Sequence, residues 1–176
     1  MNDDFGTVLS STEVRFQRLL PGPIETVWAY LTDSRKRGEW FASGPMEPRV
    51  GGKMTLRFKH SDLSPLKAPP PAKFKEMDAK GHQLSGTITE YDPPRRLAFT
   101  LESSSEVVFE LASQGDKVLL TLTHRKLANR DEMVGVSGGW HTHLAVLVDK
   151  AYGRIPPAFW DLWRSIDGQY ATRIAR

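Results

Sequence analysis

The sequence contains no cysteine. That removes disulfides, thiolate metal ligands and a cysteine nucleophile in one step. Apolar residues make up 39% of the 176, yet no run approaches the roughly 18 residues that a membrane span requires. No basic, apolar, small-residue leader follows Met1, so the expectation is a soluble, cytoplasmic protein. Charge imbalance is also small, at +3 overall. Basic clusters at Arg35-Lys36-Arg37, Arg95-Arg96 and Arg125-Lys126 are not joined by any aromatic-interleaved basic stripe. A nucleic-acid footprint needs many phosphate contacts on one face, so these clusters read as solvated surface and no nucleic acid is expected. Internal repeats, low-complexity tails and interdomain linkers are missing too. The chain reads as one domain, 1–176, long enough to bury a real core.

What is present centres on residues 130–152. Asn129 can cap a helix, with Glu132 three positions on to complete a capping box. Met133, Val136, Trp140, Leu144, Leu147 and Ala151 then recur at spacings of three and four, which is one helical stripe. Gly135, Gly138 and Gly139 interrupt it, each at a cost of about 1 kcal/mol relative to Ala. Glycines kept at that cost suggest something pressed closely on the first turns.

The stretches before this rod alternate. Val14 and Phe16 alternate with polar neighbours over 12–17; Met54, Leu56, Phe58 and His60 share one face of 53–60. Leu84, Gly86 and Ile88 turn inward over 83–91, Leu97, Phe99 and Leu101 over 96–102, and Val107, Phe109 and Leu111 over 106–111. Val118, Leu120, Leu122 and His124 line a last strand. Residues 49–50 read as a further strand entering a hairpin at Gly51-Gly52. Between the first strand and the rest, Pro23 opens a helix with Ile24, Val27, Trp28 and Leu31 on one face, and Asp33 region residues cap a second short helix before Trp40-Phe41. The expected order is strand, two short helices, six strands, long helix, extra helix.

Two segments stand outside this pattern. Residues 61–81 hold Pro65, Pro69, Pro70 and Pro71 and cannot form a central strand; they are either a lid over a pocket or a surface excursion. Residues 156–175 carry Phe159, Trp160, Trp163, Ile166 and Tyr170 at helical spacing. A stripe so apolar must fold onto its own chain or meet a copy of itself, with a homodimer through these five residues slightly favoured.

Several pieces together resemble a known family: Pro23-Ile24-Glu25-Thr26-Val27-Trp28 with Leu31-Thr32-Asp33 and Trp40; Pro48-Arg49-Val50-Gly51-Gly52; Gly86-Thr87-Ile88-Thr89-Glu90-Tyr91-Asp92-Pro93-Pro94-Arg95-Arg96-Leu97; Leu120-Thr121-Leu122-Thr123-His124; and Gly139-Trp140. In this order, over about 14–150, the chain is similar to START-like (SRPBCC) proteins, in the branch of the C-terminal domain of the activator of heat-shock-protein-90 ATPase. The resemblance implies an α+β helix-grip fold: a curved seven-stranded antiparallel sheet around a long C-terminal helix, with a cavity between them. Relatives bind lipids, hormones or polyketides, or assist a chaperone, so fold alone does not settle function. The core would span about 12–152, with 61–81 an insertion and 156–175 a helical extension beyond the family's minimal pattern.

Chemistry-bearing groups are few. His141-Thr142-His143 resembles a metal motif, but residues two apart on a helix diverge by about 200°, so no metal site is expected. No Gly-x-Ser-x-Gly elbow or phosphate loop occurs, and Ser103-Ser104-Ser105 reads as a hairpin connection. His60 and His82 bracket the insertion and could stand together on the inner face. Glu90 shares the inward parity of Ile88, and His124 that of Leu122, unless a bulge reverses it. The expected function is binding of a small apolar or aromatic molecule, without a cofactor, in a cavity of a few hundred Å³. Its walls would come from Trp28, Leu31, Trp40, Leu56, Phe58, Ile88, Phe99, Phe109, Leu122, Trp140 and Leu144, with His60, His82 and His124 as polar groups. The alternatives are a cavity enzyme of cyclase or hydrolase type using His or Glu, and a co-chaperone-like module that binds a heat-shock ATPase.

Overall fold

A computed structural model describes residues 4–102 and 104–176. Seven strands form one antiparallel sheet: β1 (Thr7–Ser10), β2 (Glu13–Pro21), β3 (Lys53–Phe58), β4 (His82–Asp92), β5 (Arg96–Thr100), β6 (Glu106–Gln114) and β7 (Lys117–Arg125). Their order across the sheet is β1-β2-β7-β6-β5-β4-β3. Between β2 and β3 lie α1 (Ile24–Thr32) and α2 (Ser34–Gly38); α3 (Lys75–Lys80) precedes β4, and α4 (Arg130–Ala151) and α5 (Phe159–Arg173) end the chain. This is the helix-grip arrangement, with α4 lying in the concave face.

The alternation placed the inner face correctly. Met54, Leu56 and Phe58 are buried on β3, Val107, Phe109 and Leu111 on β6, and Val118, Leu120, Leu122 and His124 on β7. The α4 stripe meets them: Trp140, Leu144 and Leu147 are buried against the sheet. Asn129 caps α4 as expected, its Oδ1 accepting from the Glu132 amide at 2.9 Å. The Glu132 carboxylate accepts from the Ala128 amide instead of the Asn129 amide. Asp33 caps α2 in the same way, through the Lys36 amide at 2.9 Å.

Several expectations need correction. The seventh strand is β1, not 49–50: those residues lie in a turn, and the edge of β3 away from β4 meets an irregular segment through isolated bridges of Ser43 to Arg57 and Met46 to Met54. In that turn only Gly51 has a positive φ, +81°; Gly52 is needed because a Cβ there would come within 2.2 Å of the Glu47 carbonyl oxygen. A register shift between Ile88 and Glu90 puts Glu90 opposite Ala98 and Tyr91 opposite Leu97. The bulge reverses the parity: Tyr91 turns inward onto Trp28, with ring centroids 5.8 Å apart. Glu90 leaves the concave face and pairs with Arg96 at 2.8 Å, which also bonds Glu110. Of the serine connection, Ser103 lies outside the described residues; Leu101 and Ser105 close it through a backbone hydrogen bond.

Arg37, read as solvated, is 1% exposed. It donates to the carbonyl oxygens of Leu31, Thr32, Ala42 and Gly44. One buried guanidinium therefore ties the end of α1 to the loop that carries Trp40 and Phe41. Its burial lowers its pKa to about 10, still far above neutrality.

The stripe on α5 is covered by its own chain. Phe159, Trp160, Ile166 and Tyr170 are buried, and Trp163 half-buried. Phe74 of the insertion stacks on Trp160 at 5.4 Å and meets Trp163 edge-on. Ser64 donates to the Pro156 carbonyl at 2.7 Å. The Tyr170 hydroxyl takes the Gly6 amide at 2.9 Å and bonds His141 Nδ1 at 2.7 Å. Arg130, at the start of α4, donates to the Ala171 and Ile174 carbonyls that end α5, completing groups a helix terminus leaves open. Four of the five residues expected at a dimer interface are therefore covered by their own chain, with Trp163 half-buried. The insertion packs against α5 and the segment that leads into it.

Leu144→Asp should lower stability by more than about 3 kcal/mol, because an unpaired charge would enter a fully buried position. Arg37→Gln should cost about 2–4 kcal/mol by stranding carbonyl groups in the interior. Urea midpoints unchanged from the parent protein would contradict either assignment.

Candidate functional site

The gap between a curved sheet and a straight helix is filled mostly by rings. Trp40 and Phe41, carried by the loop that Arg37 anchors, wedge between α4 and the sheet. Trp40 donates its indole N–H to the Tyr30 carbonyl at 2.8 Å. Its ring stacks on Phe41 at 5.4 Å and meets Phe109 edge-on at 6.2 Å. Phe41 lies 4.9 Å from Trp140 and 5.0 Å from Phe58. This wedge explains why the cavity is smaller than the few hundred Å³ expected.

What remains is a notch of about 140 Å³ lined by Phe41, Phe58, Leu101, His124, Val136, Gly139, Trp140 and His143. Its walls are almost wholly apolar. Leu101, Val136 and Gly139 are partly exposed, so the notch opens at the surface between α4 and the β5–β6 connection. Gly139 leaves bare backbone at this opening, and a Cβ there would meet no atom within 4 Å. The expectation of close packing on the helix glycines fails here: Gly135 is equally open, and Gly138 makes only ordinary contact with Asp167.

Two imidazoles complete the wall, in complementary states. Trp140 donates its indole N–H to His124 Nδ1 at 3.0 Å. An atom that accepts carries no proton, so neutral His124 holds its proton on Nε2. That Nε2 is buried and has no partner. His143 Nδ1 lies 2.8 Å from the Trp40 carbonyl oxygen; a carbonyl only accepts, so His143 carries its proton on Nδ1 and Nε2 is its lone-pair side. The notch is thus bordered by one N–H donor and one ring acceptor, His124 oriented by Trp140 of α4 and His143 by Trp40 of the wedge.

Of the fourteen residues expected from sequence, the structure brings Phe58, His124 and Trp140 to the notch. Trp40 and Phe109 stand behind them. Leu31, Leu56, Ile88, Phe99, Leu122 and Leu144 are fully buried core. Trp28 is half-buried against Tyr91, away from the opening. His60 leaves the strand for a short 3-10 turn and packs against Phe159 at 4.8 Å and His143 at 5.4 Å. His82 is exposed; it and His60 flank Phe58 on either side instead of facing each other. Phe41, Leu101, Val136, Gly139 and His143 were not among the fourteen. Val136, Gly139, Trp140 and His143 lie at spacings of three, one and three on α4, so the helical stripe could have found them.

His141 and His143 diverge as expected, the first to Tyr170 and the second to Trp40. Among the described residues no group of three His, Asp or Glu side chains is placed to hold a metal ion. The carboxylates nearest in sequence pattern lie on the opposite face of the sheet: Glu106 accepts from Thr89 Oγ1 at 2.7 Å and pairs with Arg125 at 2.6 Å. Among the described residues no helix is long and apolar enough to cross a membrane.

Burial is the main cause that lowers three histidine pKa values from 6.5: His60 to about 4, with Asp78 opposing it, His124 to about 4, and His143 to about 3. In each case the unfolded chain takes up a proton at a higher pH than the folded one. Their contribution is therefore complete above pH 6.5 and is lost as pH falls toward the folded values. At pH 5 each should withdraw about 2 kcal/mol. The urea midpoint should fall steeply between pH 7.5 and pH 5; a flat profile would contradict the burial of these rings as neutral groups.

A family model described as activator of Hsp90 ATPase homolog 1-like protein matches residues 21–150. Among curated proteins none matches. Among solved structures, a protein from Bordetella parapertussis determined in solution is 41% identical, with a TM-score of 0.82 over 99% of this chain and 92% of that one. CalU16 from Micromonospora echinospora is 24% identical, with a TM-score of 0.66 over 91% and 86% of the two chains. The Aha1 dimer from Colwellia psychrerythraea shares the fold at 14% identity, with a TM-score of 0.58 over 79% and 95%. The first of these extends across α5, so the helical extension is shared at that level of similarity. With the wedge, the gripped helix and the matched segment taken together, the chain belongs to the activator of Hsp90 ATPase homolog 1-like family, within the START-like (SRPBCC) fold.

Proposed function

We propose that this protein binds a small aromatic molecule carrying one polar oxygen, with its ring in the notch between α4 and the sheet. The observation that carries this reading is Gly139. A mid-helix glycine costs about 1 kcal/mol against other residues, and nothing packs against this one. Its effect is to leave the notch open. A space of about 140 Å³ suits one benzene-sized ring, since an apolar cavity near 150 Å³ takes up benzene. Phe41, Phe58 and Trp140 offer ring faces and edges to it. The unpartnered His124 Nε2–H is the donor that a phenolic or carbonyl oxygen would satisfy, which relieves a buried group at the same time.

Binding is favoured over catalysis by the composition of the wall. Its residues include no carboxylate and no hydroxyl nucleophile. Both imidazoles are held neutral, and the lowered His124 and His143 values place them far from the neutral range in which an acid–base catalyst works best.

Nuclear magnetic resonance titration with p-cresol and toluene tests this directly. Both should perturb the amides around Phe41, Gly139 and Trp140, with p-cresol binding several-fold tighter. Gly139→Leu should fill the notch, abolish both effects and leave Tm equal or higher, because the helix gains a better former. Absence of perturbation by either probe, or equal response in the filled variant, would overturn the reading. The co-chaperone-like reading that the family also supports would then stand in its place.

A further inference from the structure

A second concave site lies on the other flank of α4. Arg18 belongs to the inward set of β2, between Phe16 and Leu20, and is 4% exposed. A guanidinium at such a place needs acceptors for all its donors. Only Nη1 has one, the Gln17 carbonyl at 2.7 Å. Nε and Nη2 are buried without a partner. These two nitrogens form one edge of the guanidinium, and that edge is the one that grips a carboxylate side-on with two parallel hydrogen bonds.

Arg18 borders a groove of about 590 Å³ between β2, the C-terminal half of α4 and the start of α5. Leu19, Ala145, Val148, Pro157 and Leu162 supply an apolar wall, and Leu19 is 45% exposed. Two acids reach the groove. Asp149 is committed to Arg154 at 2.9 Å. Asp4 stands on the rim, and its charge favours the charged form of Arg18, opposing burial, which is the larger effect. Neither accepts a hydrogen bond from Nε or Nη2 of Arg18.

We propose that this groove binds an amphipathic monoanion: a carboxylate received by Nε and Nη2 of Arg18, with its aliphatic chain along Val148 and Leu162. This site is separate from the notch at Gly139 and does not rest on it. Retaining a buried, half-satisfied arginine where Leu or Met would pack is a stability cost, and an anionic headgroup converts that cost into selectivity.

Calorimetric titration with octanoate, octanol and inorganic phosphate is the test. Octanoate should bind at least tenfold tighter than octanol, and tighter than phosphate. Arg18→Met should raise Tm, because the unpaired charge is gone, while weakening octanoate at least tenfold. Leu162→Trp should fill the groove and block octanoate with Arg18 intact, whether or not the Met variant folds. Gly139→Leu should leave octanoate unaffected. Equal binding of octanoate and octanol, phosphate binding as tight as octanoate, a lower Tm in a folded Arg18→Met variant, or full octanoate affinity in either groove variant would overturn the proposal.

Discussion

A straight helix cannot touch a curved sheet along its whole length, and most features of this molecule answer that mismatch. Over the middle of α4 the contact is direct, through Leu144 and Leu147. Toward its N-terminal half the surfaces part, and the Trp40–Phe41 wedge enters. The wedge in turn depends on Arg37, which holds two carbonyl oxygens at the end of α1 and two of the incoming loop. Wherever the filling stops, space is left: the notch at Gly139 on one flank and the groove over Arg18 on the other.

The other flank of α4 is closed by α5, and this changes what a helix may carry. Ser137, His141, Thr142 and His143 are all buried, although they are polar. Three of them find hydrogen bonds locally: Thr142 donates to the Gly138 carbonyl, His143 bonds the wedge and His141 bonds Tyr170; the Ser137 hydroxyl is buried without a partner. The helix is therefore gripped from both sides, with polar contacts setting its rotation and apolar ones its depth.

Much of this was legible from residue order because the controlling interactions are local. Period-two alternation marked the inner faces of β3, β6 and β7, and Asn129 marked the start of α4 to the residue. What escaped detection depends on the third dimension. Arg37 sits in a basic triplet that looks solvated until the loop folds over it. Arg18 lies inside β2, one residue beyond the alternation read over 12–17. The Glu90 parity hangs on one extra residue in β4, which hydropathy does not report. The aromatic stripe of α5 announced that it must be covered, but not by what; Phe74 and Ser64 lie some ninety residues away in the chain. For the site, the helical stripe held Val136 and His143 in plain view, whereas the gap at Gly139 exists only once Phe41 has filled the space beside it.

The fastening of α5 has a consequence for how the molecule comes apart. Arg130 joins the first turn of α4 to the last turn of α5, Tyr170 joins α5 to the N-terminal segment, and Phe74 and Ser64 join it to the insertion. Chain regions far apart in sequence thus share one set of contacts with few local ones to survive alone. Opening α5 uncovers the insertion, the N-terminal arm and one side of α4 together, so amide protons in all four should exchange through a common event. The unit that holds its shape cooperatively is wider than the segment the family has in common.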